Sequence, residues 1–435
     1  MYYYNFVSFA GLFIFLLLAW IISENRKNIN YKTVLFGLAI MVGAAFFVFL
    51  FPLGPKIFLY LNKIFLELLK SSQAGTEFLF GPLALAPGMT GPSGVKSIGF
   101  ILAIQVFPVI IFFSALMAVL YYYGIMQRVI NTMANIFSRS MKVSGAESLV
   151  VASNIFVGIE SAFTVRPYIN KMTRSELCMI LTAGMATVSS SVLGLYVFTL
   201  INEFPTIAAH LMSASVLSAP AAIVISKILV PESADPETMG INVAPYYEKE
   251  SGVIEALIKG SEGGVRMIVG IAALLIAILG IVKLFDLFSV NLGSYINILF
   301  DIHFNWSLRS LLGYAFYPFT LLIGIPVEDA FKISKVIGER LVLTEVVSYQ
   351  DLAALIKEGE ITNHRTIVVT SYALCGFAHF ASMAIFVGGI SALAPKRTSD
   401  LAKLGFRALI AATLACFLTA CIAGIFYTKN LYLLD

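Results

Sequence analysis

Two glutamates, Glu160 and Glu345, lie in otherwise apolar stretches and carry the strongest chemical signal in the chain. A carboxylate deep in hydrocarbon is costly and marks a working site by default. There it binds a substrate hydroxyl or amine, carries a proton or holds a cation. The plain alternative is a surface loop residue paired with an arginine. Thr187, Ser189, Ser190 and Ser191 interrupt a second apolar stretch, GMATVSSSVLG (184–194). Hydroxyls and freed carbonyls in a broken membrane helix coordinate hard cations such as sodium. The same residues also back-bond to the preceding turn or let helices pack closely. His379, in GFAHFASMAIF (376–386), is a ligand-binding or proton-carrying side chain, or else a satisfied core residue. His210 reads as structural, and His303 and His364 as loop residues. Glu77, in the Gly/Pro-rich stretch that starts GTEFLFG (75–81), reads as a solvent-exposed turn.

Other chemistries are excluded. No P-loop, GxSxG or HExxH motif is present, so ATP-driven transport by this chain alone is not expected. No nucleophile–base pair stands out, and the chain reads as a non-enzyme with no organic cofactor. Cys178, Cys375, Cys416 and Cys421 have neither disulfide nor zinc spacing. The net charge of +4 is scattered, with no basic stripe for nucleic acid.

The elements that must hold these residues are membrane helices. Charged residues make up 12% of the chain and hydrophobic ones 59%, against about 25% charged in a soluble domain. A span needs about 20 apolar residues. Eight runs qualify: 4–22, 33–52, 98–123, 177–201, 207–230, 264–285, 367–393 and 404–427. The first lacks the basic flank and cleavage site of a signal peptide and reads as a retained helix. Segments 56–70, 127–142 and 247–259 are half-apolar and suit helices lying in the interface. Segments 146–170 and 330–357 are too short or too polar to cross. Each has two apolar arms around a tip, NIFVGIE (154–160) and LVLTE (341–345). An arm of about ten residues is roughly 15 Å of helix, half a bilayer. Backbone at that depth must be buried in protein or face water, so both segments read as re-entrant helical hairpins.

Each hairpin is followed by a broken span and then an unbroken one, and a single crossing separates the two sets. The second set is therefore expected to be inverted, the arrangement of secondary transporters. The fold expected is an all-α integral membrane protein with about eight transmembrane helices, two re-entrant hairpins in inverted repeats, and interfacial helices. Arg26, Lys27 and Lys32, Arg166 to Arg174, and Lys396 to Arg407 place their loops inside by the positive-inside rule, with 202–206 outside.

NIFVG…E followed by VRPYINKMTRSEL resembles the first hairpin of the concentrative nucleoside transporters. The likeness continues through ATVSSSVLG, HLMSASVLSAPAA, LVLTEVVSY, ALCGFAHF and GGISALAPKRTSDLAKLGFRALIAATLA, and includes GTEFLFG. It covers most of residues 75–430 and is weak over the first two spans. The resemblance implies a homotrimer of protomers, each with a fixed scaffold and a mobile domain. That domain would carry substrate across the membrane like an elevator, driven by sodium or protons.

It also implies a site. The family's tip, G-Q-T-E or G-Q-S-E, reads Gly158-Ile159-Glu160 here, one residue shorter and without the Gln and hydroxyl that help bind the base. The family's N-E-F reads Thr344-Glu345-Val346, and its F-A-N-F-S-S reads Phe377-Ala378-His379-Phe380-Ala381-Ser382. His379 thus replaces the ribose-binding Asn, while Phe377 and Ser382 match, and Val188 matches an apolar contact to the base. The family's sodium ligands correspond to Asn154, Val157, Thr187 and Val188. The departures fall in the substrate site and imply altered specificity, for purine nucleosides, a modified nucleoside or another polar solute.

The function expected is an ion-coupled symporter of nucleosides or a related small polar solute, multi-pass in the cell (inner or plasma) membrane. Its domains would be a scaffold part (1–142), a first transport repeat (143–230), a scaffold part and linker (231–310) and a second transport repeat (311–435). Two rivals are a proton-coupled importer of a non-nucleoside solute and a non-transporting receptor on the same scaffold.

Overall fold

The computed structural model describes residues 2–85, 90, 94–246 and 250–428, apart from the side chains of Tyr2 and Ile159. Within these residues the chain is helical, and the sole β feature is an isolated bridge between Thr90 and Lys96. Two apolar helices, α1 (Tyr2–Ile21) and α2 (Tyr31–Phe49), come first. The Asn30 side chain caps α2 by accepting from the backbone N–H groups of Lys32 and Thr33. Next come α3 (Leu53–Phe80), α4 (Phe107–Tyr122) and α5 (Ile125–Met141). α5 buries Met126, Ile130, Ala134, Phe137 and Met141, the spacing of one helical face.

The first hairpin starts with α6 (Gly145–Asn154), and the broken span is α7 (Arg174–Ala186) and α8 (Ser190–Leu200). α9 (Ile207–Leu229) and α10 (Val253–Phe300) follow. After α11 (Leu308–Leu322) the second hairpin is α12 (Val327–Leu343) and α13 (Glu345–Lys357). The second broken span is α14 (His364–Leu374) and α15 (Phe380–Leu393), and α16 (Thr398–Phe426) closes the fold.

Seven helical stretches among the described residues are long and apolar enough to cross a membrane, α7 with α8 counting as one. The eighth expected run is α14 with α15, split at residues 375–379. Hairpin, broken span and unbroken span occur twice, as expected.

Four local expectations are corrected. α3 is 28 residues long and absorbs residues 75–80 of GTEFLFG as helix, because no Pro or positive-φ residue intervenes before its cap, Gly81 at φ +54. Residues 253–259 are the start of α10 rather than a separate interfacial helix, and residues 247–249 of that expected segment lie outside the described set. α11 was not foreseen, since its apolar run is short and contains Pro318. The second arm of the first hairpin is two short 3-10 pieces, 159–165 and 169–171, not an α-helix. Pro167 lies between them and cannot donate into a helical ladder.

The repeat is also longer than the pattern of apolar runs. α4, α5, hairpin, α7/α8 and α9 match α10, α11, hairpin, α14/α15 and α16 in order. α5 packs on α6 as α11 packs on α12, and α4 and α10 pack on each other. Small residues permit that last contact: a Cβ on Gly264 would lie 2.7 Å from the Ile111 Cα. α1 lies against α16 and α11, and α2 against α9. The core sits among α7, α8, α9 and α16, which are mostly buried, whereas only 6% of the most apolar window of α10 is buried.

Candidate functional site

α12 stops because Thr344 takes φ +120, outside the range a helix allows, and the chain restarts as α13 on Glu345. A β-branched residue with positive φ is strained, and such strain gathers at ligand sites. Glu345 is 4% exposed. Its Oε1 accepts from the Tyr196 hydroxyl of α8 at 2.6 Å. Tyr196 is held by a stacked ring contact with Tyr349, centroids 4.6 Å apart. The other oxygen, Oε2, lies 2.7 Å from His379 Nε2.

His379 is the N-cap of α15. Its Nδ1 accepts the Ser382 N–H at 3.2 Å, and its Nε2 lies 2.8 Å from Ser382 Oγ. A ring nitrogen that accepts an amide carries no proton, so the geometry corresponds to neutral imidazole protonated on Nε2. Close as it is, His379 is not aimed at Glu345 Oε2 at a hydrogen-bonding angle. Oε2 and Thr344 Oγ1 are both buried without a hydrogen-bond partner. Buried polar atoms left in this state point to a ligand that completes them.

The first hairpin is built differently. A Ser144–Glu147 capping box opens α6, and Lys227 anchors that box with Nζ 2.5 Å from Glu147 Oε1. The tip, 155–158, is tied to the break in the following span by a Ser190 N–H to Phe156 carbonyl bond of 3.0 Å. Glu160 is exposed and makes no ion pair among the described residues, and its carboxylate accepts hydrogen bonds from the backbone of Gly158 and of Glu160 itself. Its Oε2 folds back toward the backbone, 3.6 Å from where a Cβ on Gly158 would stand. Ile159 shares the 3-10 turn with Glu160, and its side chain is outside the described set.

Asn154, the last residue of α6, is 1% exposed, and both polar atoms of its carboxamide are unpartnered. Its carbonyl accepts from Thr187 Oγ1 at 3.3 Å, a hydroxyl also directed at the Ala183 carbonyl at 2.9 Å. Val188 lends its carbonyl to Ser215 Oγ at 3.1 Å, and the Val157 N–H returns to the Ser153 carbonyl at 2.9 Å. The structure thus brings Asn154, Thr187 and Val188 to one locus beside the tip that holds Val157. Among the described residues no group of three or more His, Cys, Asp or Glu could hold a metal ion.

Both hairpins meet at one cavity of about 140 Å³. Gly158, Glu160, Ser189, Thr344, Glu345, Phe377, His379 and Ser382 line it, opposite an apolar wall that includes Met267 and Ile271 of α10. Val188 is buried behind the wall, and Val192 lines the cavity in its place. A second cavity of about 340 Å³ adjoins the first, shares Gly158, Glu160 and Met267 with it, and runs between the hairpin tip, α4 and α10 to Lys259. A separate cleft of about 950 Å³ lies between α3 and α13, lined by Asn202 and Asp351, and shares no wall with the first. α9 carries the chain from the end near Asn202 to the end where α10 begins.

Sequence reasoning missed Tyr196, whose one signal is a lone phenol in the apolar run SSVLGLYVF. It also missed the wall from α10, which no sequence pattern marks.

The family model described as Na+ dependent nucleoside transporter C-terminus matches residues 210–424, its N-terminus counterpart residues 10–83, and a nucleoside recognition (gate) model residues 103–203. Solute carrier family 28 member 3 of Eptatretus stoutii is 34% identical over 440 residues, covering 98% of this chain and 61% of the relative. The uncharacterized transporter YutK of Bacillus subtilis is 37% identical over 413 residues, covering 94% of this chain and 96% of the relative. CNTnw in an inward-facing substrate-bound state superposes with a TM-score of 0.86 at 32% identity, covering 97% of this chain and 98% of that one. The chain spans about three fifths of the length of the first curated relatives it matches, 61% and 59%.

Proposed function

This chain belongs to the sodium-dependent, concentrative nucleoside transporter family, a family of multi-pass membrane transporters rather than enzymes, and from that premise we propose that it is a secondary symporter of nucleosides with altered specificity. The observation that carries the reading is the delivery of two acids from separate hairpins, with His379, into one half-apolar cavity. Glu345, His379 and Ser382 form a polar end suited to sugar hydroxyls, with Glu345 Oε2 and Thr344 Oγ1 left to be completed. Glu160, Phe377 and the apolar wall take the base. His379 is the sole basic side chain in the lining among the described residues, so the cavity favours neutral or cationic solutes and rejects nucleotides.

Sodium travels as the coupling ion. Asn154 and Thr187 offer neutral oxygens, and the last carbonyls of α7 carry the negative end of a helix dipole. Neutral oxygens in a buried, unpaired setting suit a hard monovalent cation. The backbone of Val157 and Val188 completes the set.

The mobile unit holds the two repeats, 143–230 and 311–435, with α4 and α10 as the fixed scaffold between copies of a homotrimer. α1 and α2, assigned with 1–142 to the scaffold by position in the chain, pack on α16 and α9 and on that ground move with the transport unit.

A second reading, proton coupling, is favoured by one observation, the His379–Glu345 contact of 2.7 Å. Uptake into proteoliposomes separates the two. A panel of radiolabelled pyrimidine and purine nucleosides is offered under an inward sodium gradient or an inward proton gradient. Accumulation of a nucleoside with sodium alone is expected. Accumulation with the proton gradient alone favours the second reading, and no uptake of any nucleoside overturns the substrate assignment.

A further inference from the structure

The two broken spans end at the same place. A Cβ on Gly376, in the second break, would lie 2.9 Å from the Ala186 carbonyl oxygen at the end of α7. Cys416 Sγ sits 4.0 Å from that oxygen and 3.6 Å from the carbonyl of Cys375, the C-cap of α14. Two helix C-termini, each with unsatisfied carbonyls and a partial negative charge, therefore abut inside the buried core. Like charges in such surroundings each need a positive neighbour.

The second terminus has one. Arg340 of α12 is the largest of the fully buried side chains. Its Nη1 donates to the Ala373 carbonyl in the last turn of α14 at 2.5 Å. The acids on either side of it are engaged elsewhere, Glu339 with Arg309 and Glu345 with Tyr196 and His379. No carboxylate lies in ion-pair range of Arg340 among the described residues, and its Nε is buried without a partner. A buried guanidinium with no anion is tolerated where fixed dipoles replace the anion. The α14 terminus supplies them.

Among the described residues no cationic side chain donates to a carbonyl of the first terminus, and Arg340 reaches that side only through Cys416. In the corresponding place, on the arm that precedes the tip, stands Asn154, neutral and unpartnered at both carboxamide atoms.

We infer that Arg340 is a built-in cation that does for α14 what an exchangeable cation does for α7, so that each protomer carries one ion-exchange site and not two. This rests on the sodium reading above and adds a stoichiometry and a positioning residue to it. Arg340 sits five residues before Glu345 on the same hairpin, so its charge also fixes the arm that delivers the carboxylate to the cavity.

The test uses the full chain in detergent and in proteoliposomes. Thermal unfolding is followed as sodium chloride replaces choline chloride. Wild type is expected to follow a one-site isotherm, lost in Asn154→Leu. Arg340→Ala is expected to lose thermal stability and to regain it in low-millimolar guanidinium chloride, which does not stabilise wild type. Arg340→Lys keeps the charge and is expected to retain the sodium response. A two-site sodium isotherm in wild type overturns the inference. So does a folded Arg340→Ala protein that guanidinium does not stabilise. If Arg340→Ala yields no folded protein, Arg340→Met decides, with the same two outcomes. Absence of any sodium stabilisation in wild type sinks the sodium reading instead, and guanidinium rescue still judges Arg340.

Discussion

The two hairpins deliver the same residue type to the same cavity in opposite conditions. Glu345 is buried, held by Tyr196 at 2.6 Å and lies 2.7 Å from His379. Glu160 is exposed at the junction of two cavities and, among the described residues, is held only by the backbone of its own tip, at Gly158 and Glu160. The second tip is a sharp break between two α-helices, while the first opens into 3-10 turns around Pro167. A preorganised carboxylate has already lost its freedom before the ligand arrives, so its contacts go directly into affinity. A loosely held one must be ordered by the ligand and contributes less, but it is placed to choose among ligands as they enter. Under the proposed symport, the difference predicts a division of labour in which the second hairpin holds the substrate and the first admits it.

The largest effect expected follows from that contrast. Glu345→Gln should cut uptake by about a hundredfold or more, because a buried hydrogen-bonded site loses both an acceptor and its match to Tyr196. Glu160→Gln should cost only about tenfold and change the order of preference among nucleosides. Equal losses in initial-rate uptake assays would break the comparison.

His379→Asn comes next. It removes the imidazole from the Glu345 side of the cavity and restores the residue type usual in the family at this position. Nucleoside affinity should rise about tenfold, the scale of one restored hydrogen bond. An unaltered affinity in competition uptake assays would return His379 to a capping role for α15.

Thr344→Gly relieves the φ of +120 at the second tip. It should stabilise the fold by about 1 kcal/mol, read as a raised melting temperature. At the looser first tip the counterpart is Gly158→Ala, whose added Cβ meets nothing closer than 3.6 Å, and the melting temperature should stay nearly unchanged. A destabilised Thr344→Gly protein would show that the second tip is not strained.

The smallest effect lies far from both tips. Glu24, in the loop between α1 and α2, binds Arg174 at 2.7 Å and Arg407 at 2.8 Å. The Arg174 hydrogen bond holds the Glu24 carboxyl below its ordinary value, against a smaller opposing effect of burial. A folded-state value below the unfolded one stabilises above the unfolded value and is lost as pH falls through the folded one. Glu24→Gln should therefore destabilise by about 0.5 kcal/mol at neutral pH, the pair being partly exposed, and the gap from wild type should close in acid below about pH 4. A gap that persists in acid denaturation would mean that packing, not charge, is lost.

Much of this fold was legible in the sequence, for physical reasons. Long apolar runs are demanded by the bilayer, so the spans from α1 to α16 stood out. A ten-residue apolar arm with an acid at its tip is too short to cross the bilayer and too apolar for a surface loop, and Glu160 and Glu345 were found that way. What stayed hidden depends on three-dimensional company. Tyr196 looks like any aromatic in an apolar helix until Glu345 is set beside it. Arg340 reads as an ordinary helix charge until α14 is seen to end on it. The 3-10 arm escaped because apolarity records burial and not helix type. α11 escaped because a short run with a proline looks like a loop.

One further consequence belongs to α10. Its 48 residues amount to about 72 Å of continuous helix, more than twice the hydrocarbon thickness. Past Asp286 it goes on with exposed Leu287, Phe288, Leu292, Tyr295 and Ile298, none of which favours water. Even leaning by about 40° such a rod projects about 55 Å along the bilayer normal, so it outreaches the hydrocarbon, and its slope responds to the depth of the bilayer. On the proposed elevator, membranes made of longer or shorter acyl chains should thus alter the angle of this helix, and with it the speed of the cycle, without touching a single residue of the cavity.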